Sequence, residues 1–311
     1  MKFVPHEYQK YAKEKLIELP ETGLFLDMGL GKTVTTLTAI DELLNDLFLV
    51  NRVLVIAPKR VAEDTWTTES EKWDHLKHLK ISRVLGTPKE RMAALNQTAD
   101  IYVINRENVV WLVDLYRKAW PFDMVVVDEL SSFKSNKAKR FKALRQIRPL
   151  VKRFVGLTGT PSPNGLLDLW PQLYLIDRGQ RLGKTITGYR DRYFCPGRSN
   201  GYVVYSYEPK PGADEAIHEK ISDICISMKA EDYLRMPELI VNDIDVQLND
   251  KEMATYHELE KEHLMGIDGE QVTALTAATV YNKLLQMANG SVYGDDGVAV
   301  EIHRRKIEAL E

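Results

Sequence analysis

The stretch Leu26-Asp27-Met28-Gly29-Leu30-Gly31-Lys32-Thr33 decides the fold. It follows the apolar run 23–26 and opens a segment of helical spacing at 33–47, so a buried strand turns sharply into a helix through two glycines. That arrangement suits phosphate. Glycines let backbone N–H groups approach, the helix N-terminus supplies positive potential, Lys32 reaches β- and γ-phosphates, and the Thr33 hydroxyl meets Mg²⁺. The strict pattern has glycine where this chain has Leu26. Met28, Gly29, Leu30, Gly31, Lys32 and Thr33 form the candidate nucleotide cradle.

Outward from this turn, short β-branched runs recur at 52–57, 81–85, 101–104, 124–127 and 154–157, of a length that suits strands buried on both faces. Segments of helical spacing lie between them at 61–73, 89–95 and 137–147. Strand alternating with helix predicts an α/β fold, a mostly parallel sheet flanked by helices. After about residue 175 the alternation stops, and Gly, Pro and aromatic residues cluster through 188–212, with 201–207 reading as a hairpin strand. A strand resumes at 239–248, helices follow at 250–264 and 271–288, and Gly-Asp-Asp-Gly at 294–297 signals a second hairpin.

A nucleotide site also needs an acidic group at the end of another strand. Val125-Val126-Val127-Asp128-Glu129 supplies it, with Asp128 placed to hold Mg²⁺ and Glu129 to orient or deprotonate an attacking water. Together with Lys32 these are the candidate catalytic residues, and Thr33 and Asp128 the candidate metal ligands. The next strand ends in Thr158-Gly159-Thr160, two hydroxyls on a tight turn suited to coupling nucleotide state to a neighbouring domain. The set describes a P-loop NTPase using ATP and Mg²⁺.

Composition narrows the class. With 44% hydrophobic and 28% charged residues in 311, the chain reads as globular, about twice a typical domain length. No run approaches the roughly 18 apolar residues that cross a bilayer. Two cysteines cannot make a disulfide framework or a four-thiolate zinc site, which predicts a reducing, cytoplasmic setting. A net charge of −3 offers no global reason to bind nucleic acid. The local distribution does. Residues 131–167 contain no Asp or Glu, while Lys134, Lys137, Lys139, Arg140, Lys142, Arg145, Arg148, Lys152 and Arg153 crowd between the two later motifs. Of these, Lys134, Lys137, Lys139, Arg140 and Arg145, with Lys59 and Arg60 after the second strand, are the candidate DNA contacts. The cluster Tyr189, Arg190, Arg192, Tyr193, Phe194 and Arg198 reads better as packing than as base stacking.

These motifs, in this order, resemble the Swi/Snf-type branch of superfamily-two helicase-like ATPases. Residues 28–33 look like that family's first motif, 53–59 with Trp66 and 71–73 like the next, 128–129 like the acidic motif, and 157–164 with Leu169 and Trp170 like the third. His6-Glu7-Tyr8-Gln9 is similar to the upstream segment whose glutamine contacts adenine, so the resemblance makes Gln9 a base-reading residue. The family usually has Asp-Glu-Ala-His where this chain has Asp128-Glu129-Leu130-Ser131, so a linking histidine is absent. The resemblance implies a RecA-like lobe one at 1–176, an inserted protrusion with hairpin at 177–238, a returning strand at 239–248, a helical protrusion at 249–292, and the start of a second lobe at 293–311. It implies double-stranded DNA as partner and a second lobe downstream that brings an arginine finger, while the absence of accessory domains before Lys2 suggests a minimal motor, of a kind a virus or mobile element could encode. On that reading residues 1–311 alone are nearly inactive. The alternatives are a non-catalytic nucleotide- or DNA-binding module and a restriction-type DNA translocase subunit.

Overall fold

The apolar runs form strands β1 (Glu21–Leu26), β2 (Val53–Ala57), β3 (Ile81–Val84), β4 (Ile101–Asn105), β5 (Met124–Asp128) and β6 (Arg153–Thr158). This is a computed structural model, and it describes residues 1–162, 165–200, 202, 204–233, 242–265, 274–293 and 298–310. Further along, β7 (Phe194–Pro196) and β8 (Tyr207–Pro209) make an antiparallel hairpin, and β9 (Cys225–Met228) rejoins the main sheet. The seven-stranded sheet runs β3-β4-β2-β5-β6-β1-β9, every pair parallel.

Side chains alternate across it, as the period of a strand demands. Leu24, Leu26, Val53, Val55, Met124 and Val126 pack under α1 (Glu7–Glu18), α2 (Lys32–Asp41) and α3 (Trp66–Lys72). Phe25, Leu54, Ile56, Val125, Val127 and Phe154 pack under a second layer. That layer holds α4 (Pro88–Leu95), α5 (Val109–Tyr116), α6 (Lys139–Ile147), α7 (Leu169–Asp177), α8 (Ile186–Tyr193) and α9 (Ala213–Ile221). A short α10 (Ala230–Tyr233) follows β9. The RecA-like α/β reading holds.

Past residue 175 the structure departs from expectation. Helix and strand continue to alternate through α9 and β9, and β9 takes the place beside β1. The described part of the expected returning strand, 242–248, contains no strand, and 239–241 lie outside the described residues. Cys225-Ile226-Ser227-Met228 is a four-residue edge strand with only Ile226 and Met228 buried, too short a pattern to stand out in a sequence. Within the aromatic stretch the ladder is 194–196 against 207–209, with an isolated bridge between Ser199 and Val204, so 201–207 is not one strand.

Contacts divide the chain into Met1–Met236 and Pro237–Glu311. The second unit contains α11 (Asp250–Met265), α12 (Ala274–Ala288), the antiparallel pair β10 (Ser291–Tyr293) and β11 (Ala299–Glu301), and α13 (Arg305–Glu308). The expected turn at 294–297 lies outside the described residues. Gly290 has φ +104° and a side chain there would strike the His303 carbonyl, so glycine is required where α12 turns into β10.

Two arginines of the basic run belong to the core of the first unit. Arg148 is 2% exposed and donates to the carbonyls of Leu175 (2.6 Å), Val151 (3.1 Å) and Ile176 (2.5 Å) and to Glu21 Oε1 (2.8 Å). Burial lowers its pKa to about 10, an effect Glu21 opposes. Arg153 donates to the carbonyls of Leu16 (2.9 Å), Ile17 (2.5 Å) and Leu19 (2.9 Å), capping the C-terminal end of α1. Removing Arg148 strands three buried carbonyls and leaves Glu21 only Arg178 at 3.9 Å, so Arg148→Ala should cost about 3 kcal/mol of stability. Urea unfolding followed by far-UV circular dichroism checks this, and an unchanged midpoint would contradict it.

Candidate active site

Parallel strands start and stop at the same edges, so loops that are distant in sequence meet where the strands end. At the C-terminal edge, β6 lies between β1 and β5, with Phe25 opposite Thr158 and Asp128 opposite Leu157. The three motif loops therefore emerge side by side. A side chain on Gly159 would lie 3.3 Å from the Leu26 carbonyl and 3.8 Å from Lys32 Nζ, which shows how closely the third loop abuts the first.

The glycine-rich loop takes the shape its residues predict. Gly29 (φ +85°) and Gly31 (φ +72°) are left-handed, a backbone that L side chains rarely adopt. Above Gly29 there is open space, while a side chain on Gly31 would strike Gln9 Nε2. Lys32 folds back on the loop and donates to the carbonyls of Leu26 (2.5 Å) and Asp27 (3.1 Å). Burial lowers its pKa, opposed by Glu129, Asp128 and Asp27. Met28 is 87% exposed, whereas the Leu30 side chain is fully buried beneath the loop and offers only its backbone.

Gln9 is tied at both ends of its amide. Its Oε1 accepts the His6 N–H at 3.0 Å, closing the N-terminus of α1, and its Nε2 donates to the Leu30 carbonyl at 3.3 Å. The first helix thus braces the glycine-rich loop. A second brace, invisible in the sequence, comes from β9: the Met228 carbonyl accepts the Asp27 N–H (3.1 Å), and the Ala230 N–H donates to Asp27 Oδ2 (3.0 Å).

On β5, Asp128 accepts the Trp66 indole N–H at 3.1 Å and the Glu129 N–H at 3.0 Å. Burial raises the pKa of its carboxyl, and the Trp66 hydrogen bond opposes the rise. Glu129 sits in the left-handed region (φ +52°), a strained conformation for a side-chain-bearing residue, and Ser131 Oγ donates to its Oε2 at 3.4 Å. Ser131 occupies the place of the missing histidine. In the third loop Thr158 is buried and its hydroxyl accepts the Thr160 N–H at 3.2 Å.

Gln9, Met28, Gly29, Gly31, Lys32, Thr33, Asp128 and Glu129 share one cleft of about 740 Å³, also lined by Phe3 and Trp73, whereas Leu30, Thr158, Gly159 and Thr160 do not line it. Trp73 and α3 were legible only as motif neighbours. Phe3 carried no signal and is placed by an edge contact with Trp73 (ring centroids 5.1 Å apart).

The basic run divides once folded. Arg140 donates to the Ser132 carbonyl (2.5 Å), Arg145 lies over the Tyr174 ring (5.0 Å), Lys134 approaches Asp168 (3.9 Å) and Lys152 pairs with Asp123 (2.7 Å). Lys137, Lys139 and Lys142 are exposed. Lys59 and Arg60 are exposed at the end of β2, with Lys59 3.8 Å from Glu63. Tyr189, Tyr193 and Phe194 are buried in the core, so that cluster packs.

Among the described residues no helix is long and apolar enough to cross a membrane. The sequence profile of the SNF2-related domain matches residues 8–290. Protein p41 of Acyrthosiphon pisum secondary endosymbiont phage 1 is 40% identical over 99% of this chain and 69% of its own length. The mouse DNA excision repair protein ERCC-6-like is 32% identical over 61% of this chain, and the Caenorhabditis elegans helicase ssl-1 is 28% identical over 55%. This chain spans 16% and 7% of those two proteins. Among solved structures, the Sulfolobus solfataricus SWI2/SNF2 ATPase core in complex with dsDNA superposes with a TM-score of 0.60 at 20% identity, over 93% of this chain and 59% of that one. A profile spanning most of the chain and an end-to-end phage relative place it in the SNF2-related domain family of helicase-like ATPases.

Proposed function

We propose that residues 1–311 form the ATP- and Mg²⁺-binding first lobe of a DNA-dependent ATPase that translocates on double-stranded DNA. The observation that carries this reading is the convergence of Lys32, Thr33, Asp128 and Glu129 on one cleft. For a triphosphate to enter, Lys32 exchanges two neutral carbonyls for charged oxygens, a stronger class of hydrogen bond. The first amides of α2, which a helix leaves without intrahelical acceptors, and the open backbone at Gly29 receive the β-phosphate. Gln9 retains one amide hydrogen and one oxygen lone pair for the base.

Thr33 and Asp128 would hold Mg²⁺. Their hard oxygen donors suit it, and among the described residues no group of three or more His, Cys, Asp or Glu offers a cage independent of substrate phosphates. When bound, the ion supplies neutralisation of charge on the β- and γ-phosphate oxygens. Glu129, steadied by Ser131, orients the attacking water and accepts its proton. Charge on the transferring group also calls for an arginine, which the proposal assigns to a second RecA-like lobe. The phage relative supports that assignment, since this chain matches only 69% of its length.

For DNA, the exposed Lys137, Lys139, Lys142 and Arg60, with Lys59 beside Glu63, are surface cations that could meet phosphates, and the Sulfolobus core was solved with dsDNA. Such a motor works in the cytoplasm, the host's if the gene is viral.

Lys32→Ala should weaken ATP binding by about 2 kcal/mol or more, the worth of a charge-assisted contact. Equal affinities by titration calorimetry would end the phosphate-loop assignment. Reversing Lys137, Lys139 and Lys142 to Glu together should weaken duplex binding equally across sequences, because phosphate contacts carry no base information. If these three lysines neutralise about three phosphates, the fall of log K against log salt should be shallower by about 2.7 in the triple variant than in the parent chain. An unchanged slope in the triple variant would mean these lysines are only solvated. Lastly, residues 1–311 should release phosphate from ATP at near-background rate, with a gain of about 10³ or more when the second lobe is joined. Strong duplex-stimulated hydrolysis by residues 1–311 alone, abolished by Glu129→Gln, would place the arginine within these residues.

A further inference from the structure

Trp66 has one polar atom, and the fold spends it on the metal carboxylate. The ring is fully buried, 0% exposed, at the head of α3, and the chain reaches it through a π turn at Val61–Thr65. Such turns are rare and frequent at functional positions, although a second one here, Glu42–Asp46, lies elsewhere. A buried indole N–H needs an acceptor, and a neutral backbone carbonyl would serve. Instead it donates to Asp128 Oδ2 at 3.1 Å, across 62 residues of sequence.

Asp128 Oδ1 is meanwhile held by the Glu129 N–H at 3.0 Å. A carboxylate offers about four lone-pair directions. With one on each oxygen committed to a donor that cannot move, the plane of the group is set, and the directions left for a cation are set with it. Either bond alone would leave the carboxylate free to swing about the other.

Resting on the ATP and Mg²⁺ reading above, we propose that Trp66 is a positioning residue for the divalent cation: its indole N–H fixes the orientation in which Asp128 meets the metal. Partners that orient a metal ligand in this way are worth 10- to 100-fold in metal affinity. A tryptophan that merely fills the core would affect unfolding and leave cation affinity alone.

The test uses residues 1–311 with a non-hydrolysable ATP analogue, and Mn²⁺ as the cation read by electron paramagnetic resonance. Trp66→Phe keeps an aromatic side chain in the core and removes the N–H donor. It should weaken Mn²⁺ about tenfold, while analogue affinity measured in chelator changes less than twofold. In the parent chain, the indole ¹⁵N–¹H resonance of Trp66, assigned among the five tryptophans by its loss in Trp66→Phe, should shift when Mg²⁺ is added to the nucleotide-bound protein. Unchanged Mn²⁺ affinity in Trp66→Phe, or an indole resonance indifferent to Mg²⁺, overturns the inference. Should Trp66→Phe misfold, Trp66 would be assigned by elimination, with the other tryptophans replaced by Phe one at a time, and the parent's resonance decides. If the parent chain binds nucleotide but no cation, the metal assignment falls with it. If it binds cation and nucleotide while only the two Trp66 readouts fail, the ATP site stands and Trp66 is packing.

Discussion

Strand β6 runs between β1 and β5, hydrogen-bonded in parallel to both, and the whole site depends on that pairing. Parallel pairing aligns strand ends, and here it gathers a lysine, two carboxylates and a hydroxyl turn from loops scattered over more than half of the first unit. The centre of β6 is shaped for the purpose. A side chain on Gly156 would strike the Leu130 methyl, so glycine lets the turn after Glu129 pack down onto the sheet, with Leu130 fully buried. The N-terminal end of β6 is anchored by Arg153, whose guanidinium caps α1, and α1 in turn carries Gln9 to the glycine-rich loop.

Electrostatically the site holds opposed charges at some cost. Burial pushes the Lys32 pKa down and the Asp128 pKa up, each toward its neutral form, and each is partly rescued by its neighbours. Lys32 rests on carbonyls and Asp128 on two N–H donors. A charged ligand that brings both phosphate oxygens and a cation would meet both needs at once, which is why desolvated but paired groups are a frequent mark of binding sites.

The basic run from 134 to 153 shows how little a charge count determines. Arg148 and Arg153 serve carbonyls in the core, Arg140 serves the turn after Glu129, and Arg145 lies on an aromatic face. Planar guanidinium groups with several donors suit these structural tasks. The exposed lysines of α6 and of the turn before it are what remains for a polyanion.

The amino-acid sequence by itself determined the local chemistry. Gly29 and Gly31 require a left-handed turn, β-branched runs such as 53–57 and 124–127 require buried strands, and the order of loops 26–33, 128–129 and 158–160 marks a candidate nucleotide site, because each follows from residues near in sequence. Tertiary structure decided what depends on distant partners. It chose the weak four-residue β9 over the stronger-looking run at 239–248, whose described part forms no strand, as the strand that braces Asp27. It turned Gln9 into a tie between α1 and the glycine-rich loop and sorted the basic run into core and surface. It also set Trp66 on Asp128, since an edge strand's place, a capping arginine and a buried indole's acceptor are fixed by packing energies that no local window contains.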